Sequence, residues 1–188
     1  GQMMTGLPGS TRESDLQTGR DIIGAGADGA RIYPTMTFAG TALEGMLRRG
    51  EYTPPSAEET VERVADLCEL FSAAGVPVIR IGLCYGEGLT GDDGIVAGDY
   101  ECAVGEMAQS RVFLRRLRAL LADSVRAGAD APTRNERILT VVCPRGRTSQ
   151  VIGHRRANVE ALRREYGIGR LCVREDDSLC GCELRVQS

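Results

Sequence analysis

The residues of this 188-residue chain that could do chemistry fall into three sets: cysteines, a glycine-rich turn and a cluster of arginines. The seven cysteines include no C-x-x-C pair, so the sequence gives only a weak signal for a metal site. The alternative that stays open is a site formed by Cys180 and Cys182 with Cys172. An odd number of cysteines at irregular spacing favours buried thiols in a reducing cytoplasm over a disulfide framework. Lysine is absent, so a P-loop, a Schiff base and a lysine general base are excluded.

The glycine-rich turn is Gly6-Leu7-Pro8-Gly9, which lies between an apolar run that includes Met3 and a helix start signal. Ser10 is predicted to cap this helix, with Glu13 reaching back as a capping box. Because glycine has no side chain, a ligand can approach the backbone of the turn closely. The alternative is that the turn needs glycine only to connect a strand tightly to a helix.

A second short strand is predicted for residues 30–35, where Pro34 ends it. Strand, turn, helix and strand together have the size of a parallel βαβ unit. Ligands bind at the carboxyl ends of such strands, which places the glycine-rich turn, Tyr33 and Thr35 on one rim. These residues are candidate ligand contacts, and core packing is the alternative role for Tyr33.

Two further helices are predicted by capping-box signals that begin at Thr41 and Ser56. The nearly all-apolar residues 76–83 then have the composition of a buried parallel strand. Two βα repeats and a closing strand are too few for a complete barrel. Polar or reactive side chains mark this third strand and its end, namely Arg80, Cys84 and Tyr85.

The second half of the chain is predicted to contain a long helix and a small α/β tail. The predicted fold class is α/β, a partial (β/α) barrel segment followed by a long helix and a small α/β tail. The predicted organisation is a barrel segment over residues 1–86, a linker over 87–99, and the helix with the tail over 100–188. In the tail, the predicted elements are a strand over 138–143, a helical turn over 149–152, a helix ending at Tyr166, and strands over 171–174 and 183–186.

The tail is strongly basic. Residues 137–174 contain nine arginines against Glu160 and Glu165, whereas the whole chain has a net charge of −3. A basic segment on an acidic protein is a candidate polyanion site, and a solvated face is the alternative. The predicted nucleic-acid contacts are Arg145, Arg147, Gly153, His154, Arg155 and Arg156.

Six segments stand in order along the chain: QMMTGLPGST, RIYPT, GTALEGMLRRGEYTP, SAEETVE, VPVIRIGL and, near the end, VIGHRRANVEALRREYG. In this order they resemble radical S-adenosylmethionine (SAM) enzymes, in particular bacterial proteins related to the catalytic subunit of Elongator. A more distant similarity is to oxygen-independent coproporphyrinogen oxidase. The tail also resembles the core of a KH RNA-binding module, in which a GxxG loop between two helices clamps the nucleic-acid backbone. Here Arg156 replaces the second glycine of that loop.

The resemblance implies a partial (β/α) barrel that holds SAM and a 4Fe-4S cluster and forms a 5′-deoxyadenosyl radical. It also implies that the contacts with SAM in this chain are Gly6, Leu7, Pro8, Gly9, Tyr33 and Thr35. The cluster of this family is bound by a CxxxCxxC loop, and no cysteines of this chain have that spacing. The cluster loop and the first strands are therefore expected before Gly1, on a missing N-terminal half of the barrel. On this reading the chain alone neither holds the cluster nor catalyses.

The function implied is the C-terminal part of a cytoplasmic radical SAM enzyme that acts on RNA, in particular tRNA. No apolar run reaches the length of a membrane helix, and no membrane partner is expected. A non-catalytic nucleic-acid-binding module with a KH-like tail is the alternative function. A scaffold left by a degenerate enzyme is the third hypothesis.

Overall fold

The structure is a computed structural model that describes residues 1–83, 94–98, 103–126 and 137–187. It divides into two compact units, Gly1–Ala108 and Gln109–Ser188. No helix in the described ranges is long and apolar enough to cross a lipid bilayer.

The first unit is built around a parallel sheet of three strands in the order β1-β2-β4. This arrangement confirms the predicted α/β class, and the described strands do not close into a barrel. Its elements are β1 (Gln2–Thr5), α1 (Arg12–Gly24), β2 (Ala30–Pro34), β3 (Thr37–Phe38), α2 (Ala42–Arg48), α3 (Ala57–Ala73), β4 (Val78–Ile81), β5 (Ile95–Ala97) and the first turn of α4 (Val104–Arg126).

Helices cover one face of the parallel sheet, and no helix of the described ranges packs on the other, which we call the open face. Met3, Ala30 and Ile32 are buried on the covered face, where α1 and α3 pack. The strand register places the other side chains together on the open face. Parallel sheets are normally covered on both faces, and in a (β/α) barrel one of these faces lines the interior. The open face carries Gln2, Met4, Arg31, Tyr33 and Arg80.

The helix starts are set by side-chain caps, one of which differs from the prediction. Thr11, and not Ser10, caps α1: its hydroxyl accepts from the Ser14 backbone nitrogen at 3.1 Å, and the Ser14 hydroxyl accepts from the Thr11 nitrogen at 2.8 Å. The prediction of Ser10 with Glu13 is therefore wrong by one residue. Ser10 instead donates its backbone N–H to the Leu7 carbonyl and closes the turn. The capping box of α3 at Ser56 is confirmed, and so is the cap of α2 by Thr41. The capping box predicted at Thr41 is wrong, because the Glu44 carboxylate accepts from the Gly40 backbone nitrogen at 2.8 Å and not from that of Thr41.

The first unit also contains a short antiparallel pair of strands. Strand β5 (Ile95–Ala97), inside the segment predicted to be a linker, pairs with β3 (Thr37–Phe38). Gly98 follows β5 with φ +97°, and a Cβ there would lie 3.1 Å from the Thr35 carbonyl oxygen. At least this part of the predicted linker is thus ordered against β3.

The second unit packs helices on one face of a sheet of three strands in the order β7-β6-β8. Strand β6 is parallel to β7 and antiparallel to β8. The core combines Phe113, Leu117 and Leu121 of α4 with β6 and α6 residues such as Val141 and Leu162. After α4, the elements are β6 (Arg137–Pro144), α5 (Thr148–Ile152), a 3₁₀ turn (His154–Arg156), α6 (Ala157–Tyr166), β7 (Ile168–Asp176) and β8 (Arg185–Gln187).

Candidate functional site

The glycine-rich turn lines a cavity of about 330 Å³ at the carboxyl end of β1. Gly6 and Gly9 both have φ +75°, in the left-handed region that favours glycine. A Cβ on Gly6 would lie 2.7 Å from Pro55 Cγ, and the Tyr52 hydroxyl donates to the Gly6 carbonyl at 2.8 Å. Packing within the protein therefore requires Gly6, whereas a Cβ on Gly9 would meet no atom within 4 Å. The cavity is completed by residues 51–55, Glu59 and Arg63.

The charge at this cavity is nearly balanced. Arg63 pairs with Asp15 at 2.9 Å, and the two side chains are only 16% and 6% exposed. Burial raises the pKa of Tyr52, and the Arg63 charge lowers it by a smaller amount. The Tyr52 hydroxyl therefore remains a donor near neutral pH, and the cavity has no free cation that would select an anion.

The predicted rim residues do not all line this cavity. Leu7 and Gly9 line it with Gly6. Thr35 is buried, and both its hydroxyl and its backbone N–H donate to the Thr5 carbonyl, at 2.7 Å and 2.9 Å. Its side chain thus ties the end of β2 to the end of β1.

Tyr33 lies on the open face of the sheet, half-buried and in register with Met4, which is 44% exposed. Arg80 is exposed on the same face, in register with Arg31. Cys84 and Tyr85, the other side chains predicted at the end of this strand, lie outside the described residues. The open face therefore presents one aromatic ring, one thioether and two guanidinium groups.

In the second unit, the loop between β6 and α5 is surrounded by acidic side chains. Glu175 Oε1 accepts from the Gly146 backbone nitrogen at 3.1 Å and from the Thr148 hydroxyl at 2.8 Å. Arg145 lies 3.6 Å from Asp177, with both side chains more than three-quarters exposed. These carboxylates offset the positive charge of the loop.

Arg147 is held inside the second unit. Its guanidinium donates to the side-chain oxygens of Gln109 at 2.7 Å and Gln150 at 3.0 Å. The sequence predicted that Arg145 and Arg147 act alike, but their surroundings differ: one is exposed and the other is held by two amides. A nucleic-acid contact by Arg147 would first have to break those hydrogen bonds.

The segment Gly153–Arg156 joins α5 to α6 through unusual backbone angles. Gly153 has φ 86° and ψ 151°, a region that is nearly restricted to glycine. Arg155 and Arg156 follow with φ 50° and 65°, although neither is glycine. Both arginines are exposed, and within the part of the chain that the structure describes their side chains form no ion pair or hydrogen bond. His154 is half-buried in the same turn.

Asn158 holds this segment in place and was not found by sequence reasoning. It is 3% exposed, and its amide nitrogen donates to the carbonyl oxygens of Ser110, Gln150 and Val151 at 2.9, 3.1 and 3.2 Å. From the sequence alone, a polar residue at the start of a helix is compatible with an exposed side chain. Only the fold shows that it joins three elements.

The donor side chains for an iron–sulfur cluster do not come together in the described ranges. No group of three His, Cys, Asp or Glu side chains there could hold a metal ion. The described cysteines form no disulfide with one another; Cys182 packs against the core of the second unit, and Cys180 is exposed. This chain therefore does not fit a 4Fe-4S cluster by its described residues, and the alternative metal site at Cys172, Cys180 and Cys182 is not formed.

The chain matches a protein-family model and two curated proteins that carry the same name. Residues 27–113 match the Radical_SAM C-terminal domain. A tRNA uridine(34) acetyltransferase from Dehalococcoides mccartyi is 37% identical over 81 residues, which are 42% of this chain and 17% of the relative. The protein of the same name from Methanocaldococcus jannaschii is 36% identical over 66 residues, 34% of this chain and 12% of the relative. The matched part of the chain thus spans less than a fifth of the length of these relatives.

Proposed function

We propose, from the match of residues 27–113 to the radical SAM C-terminal domain, that the chain is the C-terminal part of a radical SAM enzyme that acts on tRNA. The observation that carries the proposal is the open face of the parallel sheet. A free-standing parallel sheet would expose this face to water, whereas in a (β/α) barrel the same face lines the interior. The names of the two relatives support tRNA as the substrate.

The proposal assigns the iron–sulfur cluster to a part of the enzyme other than the described residues. When bound, SAM and the cluster supply a 5′-deoxyadenosyl radical. The cluster would be held by a CxxxCxxC loop on the N-terminal half of the barrel, which we propose as the partner of the open face and of the free edge of β1. The described residues supply no set of ligands for it.

This chain's own contribution to SAM binding would come from the end of β1 and from the open face. The backbone of Gly6–Gly9 would contact the cofactor, and the Tyr33 ring would offer a surface on which the adenine can stack. Thr35 would act indirectly, because its hydroxyl is occupied by the Thr5 carbonyl at 2.7 Å. It would fix the end of β2 against the end of β1.

The second unit would contact the RNA backbone through Gly153–Arg156. Arg155 and Arg156 are exposed and lie beside the first turn of α6, where backbone N–H groups favour phosphate. Arg145 contributes less because of Asp177, and Arg147 contributes less because two glutamines hold it. His154 and Gly153 would shape the loop.

The test is to produce the chain together with the coding sequence that precedes Gly1, to reconstitute the cluster, and to measure 5′-deoxyadenosine with and without tRNA. Formation of this product that rises with tRNA is expected. Tyr33→Ala should weaken SAM binding about tenfold or more, since stacking of a base on an aromatic ring contributes about 1–3 kcal/mol.

Tyr33→Phe is the matched control for this experiment. It keeps the ring and removes the hydroxyl, so SAM binding should stay within about threefold of the wild type if stacking is the interaction. The proposal of a radical SAM enzyme would be contradicted by an upstream sequence without CxxxCxxC. It would also be contradicted by a reconstituted protein that forms no 5′-deoxyadenosine. A nucleic-acid-binding module without catalysis would then be the better description.

A further inference from the structure

The sheet of the second unit has a face that no described helix covers. Leu139, Val141 and Cys143 of β6 point toward the helices and belong to the core, as do Leu171 and Val173 of β7. The alternate side chains point away from the core and form a surface that we call the outer face. The outer face includes Ile138, Thr140, Val142, Arg170, Cys172, Arg174, Asp176, Arg185 and Gln187.

The strand register arranges the outer face in rows across three strands. Arg174 and Arg185 flank Val142 from the two edge strands, and Arg170 lies beside Ile138. Neighbouring strands are about 4.8 Å apart, so the Cα atoms of Arg174 and Arg185 are separated by about 10 Å. Between the arginine rows, Thr140 lies in register with Cys172 and Gln187. The arginines thus surround a small polar and apolar strip.

The charge of the outer face is positive and largely uncompensated. Arg170 and Arg174 are exposed and form no ion pair or side-chain hydrogen bond among the residues that the structure describes. Arg185 has one acidic neighbour, Asp176 at 4.0 Å, with the two side chains 61% and 39% exposed. An ion pair this long and this exposed contributes little, so all three guanidinium groups remain available to an external anion.

We propose that the outer face binds RNA, as a second contact surface besides Gly153–Arg156. This proposal rests on the proposed function for tRNA as the ligand. Guanidinium groups bind phosphate through paired hydrogen bonds, and their planes also stack on unpaired bases. Ile138, which is 63% exposed, adds an apolar contact for a base. The three arginines would each meet one phosphate or base of a strand laid across the sheet.

Self-association through this face is disfavoured by the same residues. A second copy would bring like charges together, with only Asp176 to compensate them on each side. The single strongly exposed apolar side chain, Ile138, offers far less apolar area than a stable protein interface needs. Charge complementarity therefore selects a polyanion.

The experiment measures binding of a tRNA transcript as a function of salt concentration. The triple variant R170Q/R174Q/R185Q should bind about tenfold more weakly, and the slope of log K against log salt should fall by about 2, since each lost phosphate contact removes roughly 0.7–0.9. R170K/R174K/R185K keeps the charges and should retain most of the binding. R20Q/R48Q/R49Q removes the same charge from exposed sites of the first unit and should change the affinity less than about threefold.

The double variant R155Q/R156Q separates this proposal from the proposed function. If R155Q/R156Q weakens binding while the outer-face triple variant behaves like the charge-matched control, the outer face does not bind RNA but the loop does. If the wild type does not bind tRNA, both proposals are wrong. If the triple variant changes the oligomeric state in light scattering and leaves RNA binding intact, the face is a protein interface and our assignment is wrong. Circular dichroism melting of each variant checks that it is folded.

Discussion

At the scale of single residues, Gly153–Arg156 is the segment where sequence and conformation disagree most. Gly153 fits its position: a Cβ there would lie 2.7 Å from both Cγ and the backbone nitrogen of Asn158. Arg156 does not fit its position in the same way, because it has φ 65° without being glycine. Left-handed backbone costs a non-glycine residue about 1–2 kcal/mol. The sequence showed the missing glycine of a GxxG loop, but it could not show that the backbone keeps the shape that glycine would allow.

This disagreement predicts a measurable effect of Arg156→Gly. The variant should be more stable than Arg156→Ala by about 1 kcal/mol, because both remove the side chain but only glycine tolerates the left-handed angle. Urea unfolding of the two variants measures the difference directly. Arg163→Gly and Arg163→Ala form the control pair inside helix α6, where the order should reverse and alanine should be the more stable by about 1 kcal/mol. Equal stability of the two variants at position 156 would contradict the left-handed angle.

At the scale of elements, helix caps could be predicted from neighbouring residues, whereas contacts between residues far apart in the sequence could not. The caps at Thr41 and Ser56 were predictable because a cap depends on residues within one turn. At α1, serine at residue 10 and threonine at residue 11 are both good caps, and the Leu7–Ser10 turn decided between them. The hydrogen bonds from the β6–α5 loop to Glu175 were not predictable, since they join residues 27 and 29 positions apart.

Helices α4 and α6 are joined by an ion pair whose effect depends on pH. Arg118 donates two hydrogen bonds to Glu165, at 2.8 and 2.6 Å, and these lower the pKa of Glu165 below its ordinary value of 4.5. A carboxyl group with a lowered pKa in the folded state stabilises the protein above its ordinary pKa, and this contribution is lost as the pH falls through the folded value.

Glu165→Gln should therefore make the free energy of unfolding decrease less steeply as the pH falls. The wild type should lose its advantage over the variant as the pH falls from about 6 to about 3, as measured by urea unfolding at each pH. Because the two side chains are 40% and 32% exposed, the difference should shrink in high salt. Glu160→Gln, at a single longer contact of 3.4 Å to Arg163, is the control and should follow the wild-type pH dependence more closely. A wild type and a Glu165→Gln variant with parallel pH curves would show that the pair contributes nothing.

At the scale of the whole molecule, the sequence predicted the parallel strands but not the exposure of their second face. The apolar residues 76–83 suggested a strand buried on both sides, yet Ile79 is 63% exposed and Arg80 is also exposed. Apolar composition reflects the burial of a strand in its complete assembly, and within the described residues these strands have helices on one side only. The composition of β4 and the open face are consistent with each other if a further polypeptide segment covers that face.

The adjacent methionines of β1 offer a direct test of whether a further segment covers the open face. Met3 is 4% exposed on the helix side, whereas Met4 is 44% exposed on the open face. In the chain alone, dilute hydrogen peroxide should convert Met4 to the sulfoxide several-fold faster than Met3, since the accessible sulfur reacts first. In the protein extended by its upstream coding sequence, Met4 should become about as slow as Met3, as read by mass spectrometry of the peptide that contains both. If Met4 stays equally reactive in the extended protein, its face is not the interior of a barrel, and the function proposed from that face loses its main support.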